Sequence, residues 1–527
     1  MKRRKSPLLA GFALLVALCA LAAPAVAGNY AQIEGSGSTW SQVILSQWIS
    51  DVDSSGMKVT YNGGGSSQGR KDFANSVTDF AISEIPYQGK DEYNNADTSN
   101  GRGYAYLPIV AGGTAFTYQV KVAGKLVKNL RLSGETIAKI FTNKITNWND
   151  PQITKDNNGH ALPSLPITPV VRSDGSGTTA QFSRYLDTMY PSLWRPFFGR
   201  SGLTSYFPKK GRTVAAAGSD QVMNTISGAA GNGDIGYVEY SYPLNAHYPV
   251  VKVLNSGGYY VEPTQYNVAV ALTKAKINQN KGSNDYLTQI LDGVYRATDP
   301  RAYPLSSYSY MIIPTAANDR RMTTAKRQTL ADFMYYSLCE GQSKAGPYGY
   351  SPLPLNLVSA GFQQIAKLKA ADSGVDLTNR SLSGCHNPTF VSGNLSRNHL
   401  AEIAPKPAAC DKQGAGPCGT ATGTGAPSTD TTSGAAPTGS GAAPATGAGD
   451  VPASGALVDP ATGAAPQTGT AVGAEPLTAT ATELAASRTG DRNTFGALAV
   501  LELIALVLLP GGYVAWRRRT SANGASQ

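Results

Sequence analysis

The chain has 527 residues, with 45 basic and 35 acidic side chains and a formal net charge of +10. Much of this excess lies at the two ends, in Lys2–Lys5 and Arg517–Arg519, so the part between them is only mildly basic. This charge is far below the density that nucleic-acid binding requires and excludes that class of function, although it mildly favours an anionic ligand.

Residues 1–27 have the pattern of a signal peptide. A basic patch is followed by the apolar stretch Leu8–Ala23 and by the small residues Ala25, Val26 and Ala27, which suit cleavage by signal peptidase. The apolar stretch is too short for a convincing permanent membrane span. The sequence therefore predicts an exported protein.

Residues 28–403 have the composition of a globular domain, in which segments typical of strands and of helices alternate. Such alternation favours an α/β fold with mainly parallel strands. The domain is too long for one simple sheet, so we expect two α/β lobes with a ligand cleft between them. The segments that carry this expectation are strands over Met57–Tyr61, Asp79–Ile82 and Ile167–Arg172, and helices over Gln42–Ile49, Lys71–Val77 and Ala180–Tyr190.

Three short turns rich in Gly, Ser and Thr adjoin these segments. GSGST precedes the helix at Gln42, GGGSSQG follows Tyr61, and DGSGTT follows Arg172. Small-residue turns that begin helices present backbone N–H groups and hydroxyls to an anion, at the positive end of the helix dipole. One such turn is commonly just a turn. Three of them with one arginine indicate a site for a tetrahedral oxyanion.

The turns do not match two other types of site. No Lys-Ser or Lys-Thr pair follows the glycines at the spacing of a nucleotide P-loop, and no G-x-S-x-G turn has a credible histidine partner. We therefore interpret the serines as hydrogen-bond donors and predict no catalytic residue. The histidines lack the spacing of metal ligands, so we predict no metal and no cofactor; they are His160, His247, His386 and His399.

Four cysteines remain after removal of the signal peptide: Cys339, Cys385, Cys410 and Cys418. An even number in an exported chain favours disulfides over metal ligands. Three pairings are possible, and the sequence does not choose among them. Cys339–Cys385 with Cys410–Cys418 is the simplest, because the second pair flanks a short glycine-rich loop.

The C-terminal part has two further segments. Residues 404–494 consist mainly of Ala, Gly, Thr, Pro and Ser and are predicted to form a disordered stalk. Apart from Glu502, residues 495–516 are apolar or small and long enough to span a membrane, and the arginines that follow place the tail, residues 517–527, in the cytoplasm. The alternative is a wall-sorting signal that is cleaved. Either reading places the domain on the outer face of the cell membrane.

Six segments of the chain carry a resemblance to a known family. They are GSGSTW, YNGGGSSQGRKDF, VTDFAISEIPY, LSGETIAKIFTNKITNWND, VRSDGSGTTAQFSRYL and GDIGYVEY. In order and spacing they resemble signature segments of the phosphate-binding proteins of high-affinity phosphate ABC transporters, in a surface-anchored form of the actinobacterial type. The resemblance covers most of residues 35–358, but not the stalk or the anchor.

This resemblance implies a fold and a function. The fold is the two-lobed periplasmic-binding-protein fold, with one lobe over residues 28–108 and 260–400 and the other over residues 109–259. Two crossing strands near Ile109 and Tyr260 form the hinge. The implied function is that of a monomeric receptor, not an enzyme, that binds inorganic phosphate and delivers it to the permease subunits of an ABC transporter.

The resemblance also implies which residues bind phosphate. An arginine supplies charge, Asp174 orients that arginine, and the remaining groups are hydroxyl and amide donors. On local grounds Asp174 also suits the role of a helix cap. Trp40 stands where the family often has phenylalanine, but its contact is a backbone N–H. The phosphate-binding residues carried over by position are Thr39, Trp40, Ser66, Glu84, Arg172, Ser176, Gly177 and Thr178.

Glu84 departs from the family pattern, because the family usually has aspartate there. That carboxylate accepts a hydrogen bond from the proton on phosphate, and it repels sulfate, which has no proton to donate. Glutamate reaches one methylene further, so we expect either an adjusted cleft or altered selectivity.

Three alternatives remain open on sequence grounds. The first is a receptor for another oxyanion, such as sulfate, arsenate or a phosphonate, which competition binding would distinguish. The second is a surface phosphatase, which turnover of a phosphate ester would reveal and which the missing histidine and metal set disfavour. The third is a surface adhesin, which an adjacent permease gene would argue against.

Overall fold

The computed structural model of the chain describes residues 30–283, 285–391, 394 and 397–419. The predicted signal peptide, the predicted membrane span and most of the predicted stalk lie outside the described residues. Within the described ranges, no helix is both long enough and apolar enough to cross a membrane.

The described strands form one large sheet and four small ones. In chain order they are β1 (Ile33–Gly37), β2 (Val59–Asn62), β3 (Phe80–Ser83), β4 (Gly89–Lys90), β5 (Ala96–Asp97), β6 (Tyr104–Tyr118), β7 (Lys121–Val122), β8 (Lys125–Leu126), β9 (Arg131–Leu132), β10 (Thr168–Arg172), β11 (Val214–Ala216), β12 (Asp234–Glu239), β13 (Lys252–Leu254), β14 (Tyr260–Val261), β15 (Lys276–Ile277), β16 (Gln289–Ile290) and β17 (Ser306–Pro314).

The described α-helices cover the strands and follow several of them along the chain. They are α1 (Gln42–Asp53), α2 (Ser66–Ala74), α3 (Gly134–Phe141), α4 (Pro151–Asp156), α5 (Gly177–Met189), α6 (Pro191–Phe198), α7 (Gly218–Ser227), α8 (Ser241–Asn245), α9 (Gln265–Leu272), α10 (Asp292–Tyr295), α11 (Thr324–Leu338), α12 (Leu355–Ala371) and α13 (His399–Ile403). Short 3-10 helices occur at Glu340–Lys344, Gly346–Tyr348, Leu382–Gly384 and Ala409–Asp411.

The large sheet has the strand order β11-β10-β12-β6-β17-β3-β1-β2. In one half β1 pairs in parallel with β2 and β3, and in the other half β10 pairs in parallel with β11 and β12. Antiparallel pairs of β6 and β17 lie between the halves. The predicted α/β fold with two lobes is therefore confirmed, and each lobe is built on one parallel half.

One long strand connects the two halves of the sheet. Residues 104–113 of β6 pair with β17, and residues 114–118 of the same strand pair with β12. This is the crossing strand that we expected near Ile109. The expectation of a second crossing strand near Tyr260 is wrong, because Tyr260 pairs with Leu254 in the small sheet β14-β13-β9. Residues 104–113 of β6 have β17 as their neighbour, and all nine residues of β17 are buried, as for a strand that is covered on both faces.

Helix α2 begins earlier than predicted. The turn before it ends at Gly65, whose φ of 93° places it in a conformation that favours glycine. The helix therefore starts at Ser66 rather than at Lys71, and it ends at Ala74 because Ser76 has a positive φ of 56°. Ser66, expected in a loop, is the first residue of a helix.

Helix α5 also begins earlier than predicted, at Gly177 instead of Ala180. Ser176 is its N-cap, and its Oγ accepts a hydrogen bond from Thr179 N at 3.1 Å. A capping hydroxyl satisfies one of the N–H groups that the first turn leaves without a helical partner. The DGSGTT turn thus contains the helix start itself.

The four cysteines form two disulfides. Cys339 is bonded to Cys385, and Cys410 is bonded to Cys418. This is the pairing that the spacing made simplest.

The globular domain extends beyond the boundary predicted at residue 403. Asp411 is 1% exposed, and its Oδ2 lies 2.8 Å from the buried Lys252 Nζ. Arg131 Nη1 donates to Cys410 O at 2.9 Å. Composition alone could not indicate this, because the partners of residues 404–419 lie far away in sequence.

Candidate functional site

The three predicted turns meet where the two lobes touch. Within the first lobe, Gly65 N donates to Gly37 O at 2.8 Å, which joins the turns after β1 and β2. Between the lobes, Ser67 N donates to Gly175 O at 2.9 Å. The carboxyl ends of parallel strands in an α/β fold are the usual position of a ligand site.

Glu84, Ser66 and Gly177 form the centre of this meeting point. Ser66 Oγ donates to Glu84 Oε2 at 2.6 Å, and both residues are 1% exposed. Gly177 approaches from the opposite lobe, where a Cβ atom would lie 2.0 Å from Glu84 Oε2 and 2.5 Å from Ser66 Oγ. Only a residue without a side chain fits there, so the backbone at the start of α5 reaches the carboxylate.

Burial raises the pKa of Glu84 above its ordinary value, while the hydroxyls of Ser38 and Ser66 and the charge of Arg172 act in the opposite direction. Glu84 Oε1 is buried and has no hydrogen-bond partner among the described residues. A buried carboxylate oxygen without a partner can still accept a hydrogen bond from a bound ligand.

Arg172 is held by a bidentate ion pair with Asp174. Its Nε donates to Asp174 Oδ1 at 2.7 Å and its Nη2 donates to Oδ2, while its Nη1 donates to Ser219 Oγ at 3.3 Å. Asp174 Oδ1 also accepts from Gly218 N at 2.9 Å. In these described contacts Nη1 and Nη2 each use one of their two N–H groups. Each terminal nitrogen therefore keeps one N–H that can donate to a ligand. This ion pair fixes the orientation of the Arg172 guanidinium.

Thr39 lies against the first turn of α7. Its Oγ1 accepts from Ser219 N at 3.2 Å and is 3.1 Å from Ser219 Oγ. The hydroxyl of Tyr242 donates to Thr39 O. The first turn of α7 thus links Thr39 of one lobe to Arg172 of the other.

Trp40 differs from the expectation of a free backbone donor. Its N–H donates to Ser38 Oγ at 3.0 Å, as in a serine turn. Its indole is 1% exposed and packs edge-on against Tyr350, with ring centroids 5.7 Å apart. A Cβ on Gly112 in β6 would be 2.8 Å from the indole. The side chain therefore extends towards the crossing strand.

The N-terminus of α5 supplies the remaining predicted residues. Ser176 N donates to Ser205 O at 2.9 Å, so Ser176 is fixed at both its amide and its hydroxyl. Gly177 and Thr178 follow in the first turn, where backbone N–H groups have no helical acceptor. Thr178 is 1% exposed. The positive end of the α5 dipole therefore lies beside Glu84.

The sequence analysis missed three residues of this site. Ser38 lies within the GSGST turn that was singled out, so its signal was present. Ser219 follows a glycine at the start of a helix, which is the same small-residue pattern in AAAGSD. Tyr242 gave no local signal, because only the fold brings its hydroxyl to Thr39.

The described part of the chain contains no cluster of three or more His, Cys, Asp or Glu side chains that could hold a metal ion. The donors at the site are hydroxyls, amides and one guanidinium. This set suits an anion.

Comparison with known proteins identifies the class and then the family. A family model described as a PBP superfamily domain matches residues 22–340, which is more than half of the chain. The chain is 31% identical over 348 residues to the phosphate-binding protein PstS of Methanocaldococcus jannaschii, covering 64% of this chain and 86% of that protein. It is 32% identical over 354 residues to the phosphate-binding protein PstS 2 of Mycobacterium tuberculosis, covering 66% and 88%. The chain therefore belongs to the PBP superfamily and, within it, to the family of PstS phosphate-binding proteins.

A solved structure supports the fold. The X-ray structure of a human phosphate-binding apolipoprotein superposes with a TM-score of 0.50 at 20% identity, over 65% of this chain and 99% of that one. At this identity the likeness concerns the fold alone.

Proposed function

We propose that this protein is the extracellular receptor of a phosphate ABC transporter, which captures inorganic phosphate between its lobes and delivers it to the permease. It acts as a binding protein and not as an enzyme. The observation that carries the proposal is the convergence of three turns from both lobes around Arg172 and the buried Glu84. Membership of the PstS family supports the choice of phosphate as the anion.

In this proposal the predicted residues surround the anion with hydrogen-bond donors and one positive charge. Arg172 contributes charge through the N–H groups that Asp174 leaves available. The first turn of α5 contributes backbone amides and the helix dipole. Hydroxyls and amides complete the shell around the oxygens. The phosphate-binding residues are then Thr39, Ser66, Glu84, Arg172, Ser176, Gly177 and Thr178, with Asp174 in support, whereas the N–H of Trp40 is already bound to Ser38 Oγ.

Glu84 is proposed to select phosphate over sulfate. Its unpartnered Oε1 accepts a hydrogen bond from a protonated phosphate oxygen. Sulfate has no proton to offer at neutral pH, so two acceptor oxygens would face each other without water, at a cost of about 1–3 kcal/mol. Glutamate in place of the family's aspartate keeps this function.

We also propose that the receptor, a monomer, is exported and held at the outer face of the membrane. Residues 1–27 direct export, and the apolar residues 495–516 anchor the chain. The segment rich in Ala, Gly, Thr and Pro that precedes residue 495 forms the tether between the domain and this anchor. Protease treatment of intact cells should release the domain from the surface. Recovery of the uncleaved chain inside the cells would refute this arrangement.

Isothermal titration of the full chain in mild detergent, freed of bound ligand, tests the function. We expect one phosphate per chain and no competition from sulfate. Absence of phosphate binding, or tighter binding of sulfate, would overturn the proposal and leave the family membership in place.

A further inference from the structure

A hairpin of the first lobe reaches across the mouth of the cleft. Strands β4 and β5 pair between residues 89–90 and 96–97. Asp91 fixes the turn between them, because its Oδ1 accepts from Tyr93 N at 3.0 Å and from Asn95 N at 2.7 Å. Glu92 therefore stands at the tip of a defined turn.

The tip of this hairpin holds a segment of the second lobe. Glu92 Oε1 accepts hydrogen bonds from Thr204 Oγ1 at 2.9 Å and from Ser205 N. The ring of Tyr93 packs edge-on against that of Tyr206, with centroids 5.3 Å apart. Residues 204–206 lie between β10 and β11, so these contacts bridge the two lobes away from the anion site.

The segment that Glu92 holds is joined directly to the anion site. Glu92 binds the N–H of Ser205, and the carbonyl oxygen of Ser205 accepts a hydrogen bond from Ser176 N at 2.9 Å. Ser183 Oγ of α5 accepts a hydrogen bond from Thr204 N at 2.9 Å and donates one to Thr204 O at 3.0 Å. One residue thus separates Glu92 from the N-cap of the helix whose first turn faces Glu84.

The base of the hairpin is joined to the same site from the other side. Arg70 Nε donates to Asp97 Oδ1 at 3.0 Å, and its Nη1 donates to Ser83 Oγ at 3.0 Å. Arg70 lies on α2, which begins at Ser66, and Ser83 precedes Glu84 in the chain. The Arg70 side chain is 2% exposed and that of Asp97 10%, so this anchor is little weakened by solvent.

We propose that Glu92 is a positioning residue, which fastens the hairpin of one lobe to residues 204–206 of the other and so keeps the cleft closed around its ligand. This inference rests on the proposed phosphate-binding function. Glu92 does not touch the ligand. It holds Ser176 in place through Ser205, and it favours the closed arrangement in which both lobes can bind the same anion.

Loss of this contact should act on ligand release. In Glu92→Ala the binding residues are unchanged, and the encounter with phosphate still occurs in the open cleft. The closed complex loses two hydrogen bonds to a carboxylate, so we expect the dissociation rate of phosphate to rise about 10-fold with little change in association rate. Rapid-mixing kinetics on the full chain in detergent measures both rates.

Two variants separate this role from a general effect on the hairpin. Lys90 is exposed on the same hairpin, and Lys90→Ala should leave both rates unchanged. Glu92→Gln keeps an oxygen acceptor in the same position, so its dissociation rate should stay within about 3-fold of the wild type. Equal dissociation rates in Glu92→Ala and the wild type would overturn the proposal, as would a Lys90→Ala variant that behaves like Glu92→Ala.

Hydrogen exchange at the Ser205 amide tests the contact itself. In the ligand-free wild type the amide should be protected for the fraction of time that the lobes are closed, so it should exchange faster in Glu92→Ala, while amides of β10 exchange equally in both proteins. Unchanged exchange at Ser205 would overturn the contact. If instead the wild type fails to bind phosphate but Ser205 loses protection in the variant, the proposed function fails and the fastening of the lobes stands.

Discussion

The absence of a side chain at Gly177 has a direct consequence for binding. A Cβ atom there would lie 2.0 Å from Glu84 Oε2, whereas the helical backbone at this position tolerates alanine. Overpacking of this kind costs about 1–3 kcal/mol. We expect Gly177→Ala to weaken phosphate binding by about 10- to 100-fold, as measured by isothermal titration.

The matched control for this substitution is Gly384→Ala, whose Cβ would be 3.4 Å from its nearest neighbour, Tyr335 Oη. It should bind phosphate as the wild type does. Wild-type affinity in Gly177→Ala would contradict the close packing of α5 on the carboxylate.

We expect selectivity for phosphate also to depend on a single residue, Glu84. In Glu84→Gln an amide replaces the carboxylate, and its N–H can donate to a sulfate oxygen that the carboxylate would repel. We expect sulfate to become a competitor, with the preference for phosphate reduced by about 10-fold or more. Competition titration measures this change, and an unaltered preference would refute the role of Glu84.

At the scale of elements, the C-terminal end of β12 holds a buried carboxyl group that is costly to ionise. Glu239 is fully buried, Ser241 N donates to its Oε2, and its Oε1 has no partner within the described part of the chain. Burial raises the pKa of Glu239 well above the ordinary value of 4.5. The strand therefore ends in a carboxyl group that is disfavoured when ionised.

This raised pKa makes a prediction about stability and pH. The folded state holds the proton more tightly than the unfolded state, so the stabilisation is fully present below about pH 4.5 and is lost as pH rises through the folded-state pKa. The side chain of Glu239→Gln cannot ionise, so the variant does not lose this stabilisation as the pH rises. Urea unfolding at about pH 5 and about pH 8 should show a larger fall in the free energy of unfolding for the wild type than for the variant. Parallel behaviour of the two proteins would contradict the prediction.

The two early helix starts show how elements and site are coupled. Gly65 and Ser176 were interpreted as residues of loops, but each immediately precedes a helix. Their neighbours Ser66 and Gly177 therefore lie in first turns, where free N–H groups and the helix dipole act on an anion. The chemistry predicted for the turns was local, and the exact helix start depended on a single cap or φ angle.

At the scale of the whole molecule, the C-terminal segment is fixed by a buried charge pair. Lys252 and Asp411 are 2% and 1% exposed. Removal of one partner from such a pair leaves an uncompensated buried charge, which costs about 3–5 kcal/mol. We expect Asp411→Ala to lower the free energy of unfolding by that order and to expose residues 404–419 to protease, as measured by urea denaturation and limited proteolysis.

Lys412→Ala provides the control, because Lys412 is exposed beside Asp411. It should unfold like the wild type. Protease resistance of residues 404–419 in Asp411→Ala would show that the disulfide and backbone contacts suffice without the ion pair.

The sequence by itself determined the α/β class, the three small-residue turns and, through six ordered segments, the family. These properties depend on local periodicity, on turn chemistry and on motifs of a few residues, all of which are readable along the chain. The family motifs also named Arg172 and its partner Asp174 two residues later.

Only the tertiary structure decided the remaining features. Three of these features join segments that are more than a hundred residues apart. They are the pairing of β17 with β6, the contact of Glu92 with Thr204, and the ion pair of Asp411 with Lys252. No local pattern encodes such pairs, because their energy comes from burial and charge neutralisation that exist only after the chain has folded.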